Sequence, residues 1–192
     1  MHRTSTFAAL CLTVIASGGV YAGEEVGWRD AQGNPVPQSD SMKSSKGFGG
    51  QVILVSDPDW EAKWARPETP HFTTTESLTI GESFVALVLF TNPATDARGN
   101  IHIVCDYRVV RPDGSLSQEV KAATCGEGPL EGDPHNVRLV SHLIGFTGEA
   151  TDVEGEWVIT VRLTDAVRKT SLDLKTGFEY HVKPATGKAA TN

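Results

Sequence analysis

Gly155-Glu156-Trp157-Val158-Ile159-Thr160-Val161-Arg162-Leu163, and then Leu172-Asp173-Leu174 and Phe178-Glu179-Tyr180-His181-Val182, are the segments that decide the fold of this chain. In the first run Trp157, Ile159, Val161 and Leu163 are apolar, with Glu156, Thr160 and Arg162 between them. Successive side chains of an extended chain point to opposite faces, so this pattern buries one face of a strand and wets the other. Thr164 to Thr170 interrupts it. The pattern returns with Leu172, Leu174, Phe178 and Tyr180 on one face and Val182 closing the row; Ser171, Asp173, Lys175, Glu179 and His181 take the other. A closing pair of this kind predicts an antiparallel β-sandwich.

Upstream, Ile101, Ile103, Cys105, Tyr107 and Val109 form a second inward row within Ile101–Val110. Arg111-Pro112-Asp113-Gly114 then predicts a hairpin, because Pro presets the first turn residue and Gly accepts a left-handed one. Ser115 to Lys121 is its return strand. A tight turn at Pro112-Asp113 sets Cys105 opposite residue 120 or 121. Cys125 then lies about 13–17 Å further along a straight strand, whereas a disulfide spans only about 4.4–6.8 Å between Cα atoms. The pair Cys105 and Cys125 reads as a disulfide in an oxidising compartment. It requires either a chain that folds back near Ala122-Ala123 or a bulge that shifts the register.

Ser83 to Phe90 is apolar on both faces and predicts a central strand covered on both sides. Thr73–Ile80, Gln51–Val55 and Val137–Phe146 supply further strands, with loops at Thr91–Asn100, Gly126–Asn136 and Gly148–Glu154. Between Val55 and Thr73, Asp57 and Pro58 read as the start of a short helix ended by Pro67. Trp60 and Trp64 share one of its faces, and so short a helix holds only if they pack on the sandwich. The count is about seven strands with one short N-terminal helix, an all-β fold.

Gly155 to Val161, followed by Asp165 and ending in Phe178-Glu179-Tyr180-His181-Val182, resembles the last two strands of immunoglobulin-like or fibronectin-like modules in bacterial envelope proteins. The resemblance runs from Phe72 to Lys183 and implies an immunoglobulin-like sandwich. The chain departs from that pattern in two ways. No Cys…Trp…Cys framework joins the sheets, and Trp157 stands where many such domains have a corner tyrosine. The whole chain after its leader is similar to uncharacterised exported proteins of bacteria, which implies a location and no activity.

The chain has 192 residues. Residues 1–22 read as a secretory signal: Arg3 gives the positive start, Phe7–Ile15 the apolar core, and Val20-Tyr21-Ala22 the small residues before a cut between Ala22 and Gly23. That apolar run is too short to span a bilayer, and no membrane span is expected after cleavage. The expected location is periplasmic or secreted. Residues 23–50 are poor in apolar side chains and read as a flexible arm, with Gly47-Phe48-Gly49-Gly50 as linker. The alternative is an arm that wraps the domain or a partner, anchored by Trp28 and Phe48. The sandwich domain is placed at 51–183, its first part (51–71) being a strand and the short helix packed on it. Residues 184–192 are expected to be a disordered tail.

A net charge of −7 disfavours nucleic acid and anionic membrane surfaces as partners. His71, His102, His135, His142 and His181 show no ligand spacing, and convergence of strand histidines would be needed for a metal site. Asp57/Asp59, Asp96/Asn100 and Asp133/Asn136 match no calcium loop and read as turn chemistry. Ser141-His142 lacks a nucleophile elbow. No catalytic residue, cofactor or metal is therefore assigned. The expected function is binding or assembly, with a protein partner in the cell envelope met by sandwich loops or an edge strand. The alternatives are a structural envelope component, or a metal-binding or hydrolytic protein.

Overall fold

Alternation is realised as strand wherever the sequence shows it. The computed structural model describes residues 28–30 and 32–182. The signal cut at Ala22 and Gly23 and the tail at 184–192 lie outside them. In chain order the elements are β1 (Met42–Ser45), β2 (Phe48–Val55), α1 (Trp60–Trp64), β3 (Ser77–Thr79), β4 (Ser83–Thr91), β5 (Asn100–Val110), β6 (Leu116–Pro129), β7 (Arg138–Leu139), β8 (Ile144–Thr147), β9 (Gly155–Asp165) and β10 (Thr170–His181). One sheet has the order β1-β2-β4, with β7 and β8 both pairing the far side of β4. The other has the order β3-β10-β9-β5-β6, in which β3 runs parallel to β10.

The closing pair is in continuous register, with Trp157 opposite Phe178, Val161 opposite Leu174 and Leu163 opposite Leu172. The inward rows of both sheets meet in one core that contains Phe48, Phe84, Val88, Phe90, Tyr107, Trp157, Phe178 and Tyr180. At one end Phe146 lies 4.9 Å from Trp157 and 5.0 Å from Phe178, ring centre to ring centre. Such tilted aromatic contacts add to the stabilisation from buried area alone. Trp157 Nε1 donates to Val153 O at 2.8 Å, four residues upstream. That bond satisfies the one polar group of a ring whose remainder is buried in the core.

The sequence-based expectations need correction in several places. The strands number ten among the described residues, not about seven, because β1 was hidden in the supposed arm, β3 leaves the first sheet for the second, and β7 and β8 are two short pieces along one edge of β4. The flexible arm is folded from Trp28 onward, except for the undescribed residue 31. Phe48 is fully buried and Trp28 nearly so, and Trp28 Nε1 donates to Gly50 O at 3.1 Å. Gly49 and Gly50 are not a linker. A Cβ on Gly50 would stand 2.8 Å from Leu163 Cδ2 and 2.9 Å from Leu172 Cδ1; one on Gly49 would stand 2.7 Å from Thr91 Cγ2 and 2.9 Å from Trp28 Nε1. The glycines let β2 lie flush against the opposite sheet on one face and under Trp28 on the other.

The helix is reduced to the single turn α1, and Asp57 does not cap it. Asp57 accepts the Thr73 backbone N–H at 2.6 Å and pairs with Lys63 at 2.8 Å, tying the two ends of the segment after β2 together. On β4, Leu87 is fully buried yet lies outside the two-sheet core. This second face of β4 is covered, as its apolar pattern predicts; Trp60 and Trp64 are half-buried and line depressions that also take in Val85 and Leu139 respectively.

Candidate functional site

At one end of the sandwich, four connections are tied to each other by side chains. The turn from β9 to β10 carries Arg168, whose Nη1 donates to Lys46 O at 2.6 Å in the β1–β2 turn. Its Nη2 donates to Asn92 O at 3.0 Å, where β4 leads into β5. Its Nε sits 3.4 Å from Asp165 Oδ2, an ion-pair contact without hydrogen-bond alignment. Asp165 is fully buried. It also accepts the backbone N–H of Ala94 at 2.7 Å and of Arg168 at 2.9 Å, so the buried carboxylate is satisfied from three sides.

The remaining connections join the same knot. Asn92 Nδ2 donates to Gly47 O and its N–H to Pro134 O. Thr91 Oγ1 donates to His135 O. The loop between β6 and β7 is wrapped around Arg138, which donates to the carbonyls of Glu131, Asp133, Pro134 and Asn136 at 2.6–3.2 Å. Burial holds the Arg138 pKa below its ordinary value, although the Asp133 carboxylate opposes that shift. Asp133 and Asp96 both have lowered pKa values, chiefly through backbone N–H groups of His135 and Asn100 respectively. Lys46, Asn92 and Lys169 are non-glycine residues with φ near +50°. Such residues are uncommon and persist where their surroundings fix them. The result is a rigid end that presents Thr95–Arg98, Glu131–Val137, Ala166 and Lys169 to solvent.

The cysteines do meet. Cys105 and Cys125 form a disulfide with 5.8 Å between Cα atoms, and both are buried. The route is the bulge. The β5–β6 register shifts three times, so that Cys105 faces Ala123 rather than residue 120 or 121. Asp106 accepts the Ala122 N–H at 2.7 Å, and Ala122 has φ +51°. Cys125 is itself an extra residue, between Thr124 opposite Val104 and Gly126 opposite Ile103. Beside it, Tyr107 donates its hydroxyl to His142 O, and burial raises the phenol's pKa.

The histidines do not converge. His102 lies near the start of β5, 3.8 Å from Glu127, and His181 ends β10 at the opposite end of the same sheet. His135 pairs locally with Asp133, and His142 tilts against Tyr107 with ring centres 5.6 Å apart. His71 is exposed in the loop after α1. Among the described residues no group of three His, Cys, Asp or Glu side chains is arranged to hold a metal ion. Ser141 Oγ donates to Thr124 O rather than to a base. Arg168 went unnoticed in the sequence. Its only signal was Asp165, an acid placed on the apolar side of the alternation of β9.

No protein-family model matches the chain, and no curated protein matches it in sequence. Among solved structures it is similar to a family 123 glycoside hydrolase from Clostridium perfringens, at 9% identity and TM-score 0.43, over 71% of this chain and 28% of that one. It is similar to the alkylpurine DNA glycosylase AlkC from Pseudomonas fluorescens, at 16% identity and TM-score 0.33, over 56% of this chain and 28% of that one. A PKD domain of an M14-like peptidase from a Thermoplasmatales archaeon is matched at 16% identity and TM-score 0.29, over 56% of this chain and 88% of that domain. The chain spans little more than a quarter of the first two proteins, and nothing about activity follows from likenesses at this level.

Proposed function

We propose that this chain is an exported, immunoglobulin-like β-sandwich that acts by binding or assembly in the cell envelope, meeting a protein partner with its tied loop end. One observation carries the reading: a single guanidinium, that of Arg168, holds two loops of that end at fixed positions. Loops on a rigid scaffold are where sandwiches place recognition, and a loop ordered in advance loses little entropy on binding. The immunoglobulin-like assignment is supported by the strand order. Export is supported by the signal-like first 22 residues and by a disulfide, which persists in oxidising compartments. Among the described residues, no helix is long and apolar enough to cross a membrane.

The test is in-cell photo-cross-linking from single positions. A photoreactive residue at Ala97 or Ala166 is expected to capture one discrete partner, and the same residue at Thr151, at the far end, to capture none. Arg168→Met, with the fold checked by circular dichroism, is expected to abolish the adduct at Ala97. Capture from Thr151 alone, or equal capture from both ends, overturns the proposal.

A further inference from the structure

The chain runs out along β6, turns through residues 130–137 and returns along β7. A path of that shape makes a hairpin, and one rung of it exists: Ser141 donates its N–H to Cys125 O at 2.8 Å. In an antiparallel pair the next such rung lies two residues further along each strand, at Glu127 and Leu139. That rung is open. Among the described residues β6 is paired only with β5, and β7 only with β4. Between them lies a depression of about 590 Å³, floored by Phe90 and Ile101 of the shared core and bordered by Trp64, Val137 and Leu139.

Register shows which backbone groups face this opening. Leu130 donates to Gly99 O at 3.0 Å, which makes Ile101–Gly128 and Ile103–Gly126 the bonded pairs of that ladder. Glu127 falls between them, opposite His102, so its N–H and C=O point away from β5. His102 in turn accepts the Ala166 N–H, so its groups face β9 rather than β6. On the returning strand Val140 donates to Val88 O at 3.0 Å, and Leu139, opposite Leu89, turns its N–H and C=O away from β4. Each edge therefore offers a donor and an acceptor to the depression.

Charge on its rim is one-sided. Arg138 is the only cation of the lining. Its guanidinium is bonded to the carbonyls of the loop, with the Asp133 carboxylate beside it. Glu131 is in no ion pair among the described residues, and Glu127 has only His102 at 3.8 Å.

We propose that this open hairpin receives an extended segment of a partner protein. The segment enters as a strand between β6 and β7, sets a Lys or Arg beside Glu127 and Glu131, and turns an apolar side chain toward Phe90 and Ile101. An extended chain is the ligand that carries a donor and an acceptor to both edges at strand spacing. The acidic rim and the apolar floor ask for basic and apolar residues in alternation. This proposal rests on the reading of a protein partner given above, and it names how that partner is held.

The test uses the full chain at low ionic strength and a capped synthetic peptide of alternating lysine and valine, six residues long. It is expected to bind about tenfold more tightly than its glutamate–valine counterpart. It should exceed by a similar factor the same lysine peptide N-methylated at its valines, which keeps the charge and removes backbone donors. Hydrogen exchange at the Glu127 and Leu139 amides is expected to slow when the lysine peptide binds. Glu127→Gln with Glu131→Gln should weaken that peptide about tenfold, whereas Glu119→Gln, towards the other end of β6, should leave it unchanged. These are surface changes, so loss of fold does not obscure the reading. Absence of binding, equal binding of the three peptides, or exchange unaltered by the lysine peptide overturns the proposal. Slow exchange at Glu127 and Leu139 in the free chain also overturns it, because the hairpin then closes on itself. So does protection that grows with protein concentration, which makes a second copy of the chain the occupant. The probe is synthetic, so these outcomes decide only the mode of contact; the cross-links from Ala97 and Ala166 decide whether a partner is met at all.

Discussion

The two sheets reach the same end, a dry shared core, by different means. In the β3-β10-β9-β5-β6 sheet the long strands alternate almost without fault: β5 and β9 have 11 residues each and β10 has 12, with buried and wetter positions taking turns. In the β1-β2-β4 sheet the central strand β4 is buried on both faces from Ala86 to Thr91, and β2 begins with Phe48, Gly49 and Gly50 all buried. The first sheet leaves its outer face to water and is specified by side-chain polarity. The second is covered outside by Trp28 and the segment around α1, and is specified by closeness of approach. The difference teaches that a period of two is readable only where one side of a sheet stays wet.

The most severe way to break the comparison is to cut what joins the two sheets. Arg168 belongs to the β9–β10 turn, but its guanidinium bonds Lys46 O and Asn92 O on the other sheet's connections. Arg168→Met leaves the fully buried Asp165 carboxylate without its countercharge. Removing one partner of a buried ion pair costs about 3–5 kcal/mol, and denaturant unfolding should show a loss in that range. Adding Asp165→Asn to the same chain should recover part of it, because the orphaned charge is gone. A loss within about 0.5 kcal/mol, the range of an ordinary surface change, would show that the sheets hold together without this tie.

The next largest effect tests the edge of the regular sheet, where alternation fails. Cys105–Cys125 closes a loop with a sequence separation of 20. The loop-entropy relation gives roughly 3 kcal/mol for such a loop. The double replacement Cys105→Ala, Cys125→Ala should lower stability by about that amount, as measured by urea unfolding. A third variant addresses the covered sheet directly. Gly50→Ala places a methyl against Leu163 and Leu172, and overpacking of this kind costs about 1–3 kcal/mol. Thr160→Ala, on the wet face of the other sheet, should change stability by no more than about 0.5 kcal/mol. Equal effects of the two substitutions would erase the distinction drawn between the sheets.

How much was legible in the sequence follows the same line. The β9–β10 pair, the inward row of β5 and the doubly buried β4 could be read because each declares its faces in residue type. The stretch from Trp28 to Gly50 could be read only as an alternative, an arm anchored by Trp28 and Phe48, because its packing rests on the absence of side chains at Gly49 and Gly50, and a glycine run looks alike in a linker and in a tight sheet contact. The β6 register failed for a related reason. Its three shifts depend on backbone geometry at Ser117, Ala122 and Cys125, which residue types do not announce. The tied end was legible only as turns. Arg168 looked like one more surface cation, since what it bonds are backbone carbonyls far away in sequence.

The mildest test asks whether the cover over the irregular sheet is part of the cooperative fold. Asp57 fastens that cover by pairing with Lys63 and accepting the Thr73 N–H. These two contacts, Lys63 first, lower its pKa from 3.8 to about 2. Between those two values the unfolded chain binds more protons than the folded one, so stability rises with pH across that window. The contribution is therefore fully present above about pH 4 and is lost as pH falls through 2. Asp57→Asn should remove it, giving an acid unfolding curve that is shallower between pH 4 and 2 than that of the parent chain. The change rests on one carboxylate at the edge of the cover, so it is small and calls for careful comparison of acid midpoints at one temperature. A parent curve indistinguishable from the variant's would mean that the cover opens on its own, ahead of the sheets, and that the burial of Leu87 rests on the remaining contacts of that face.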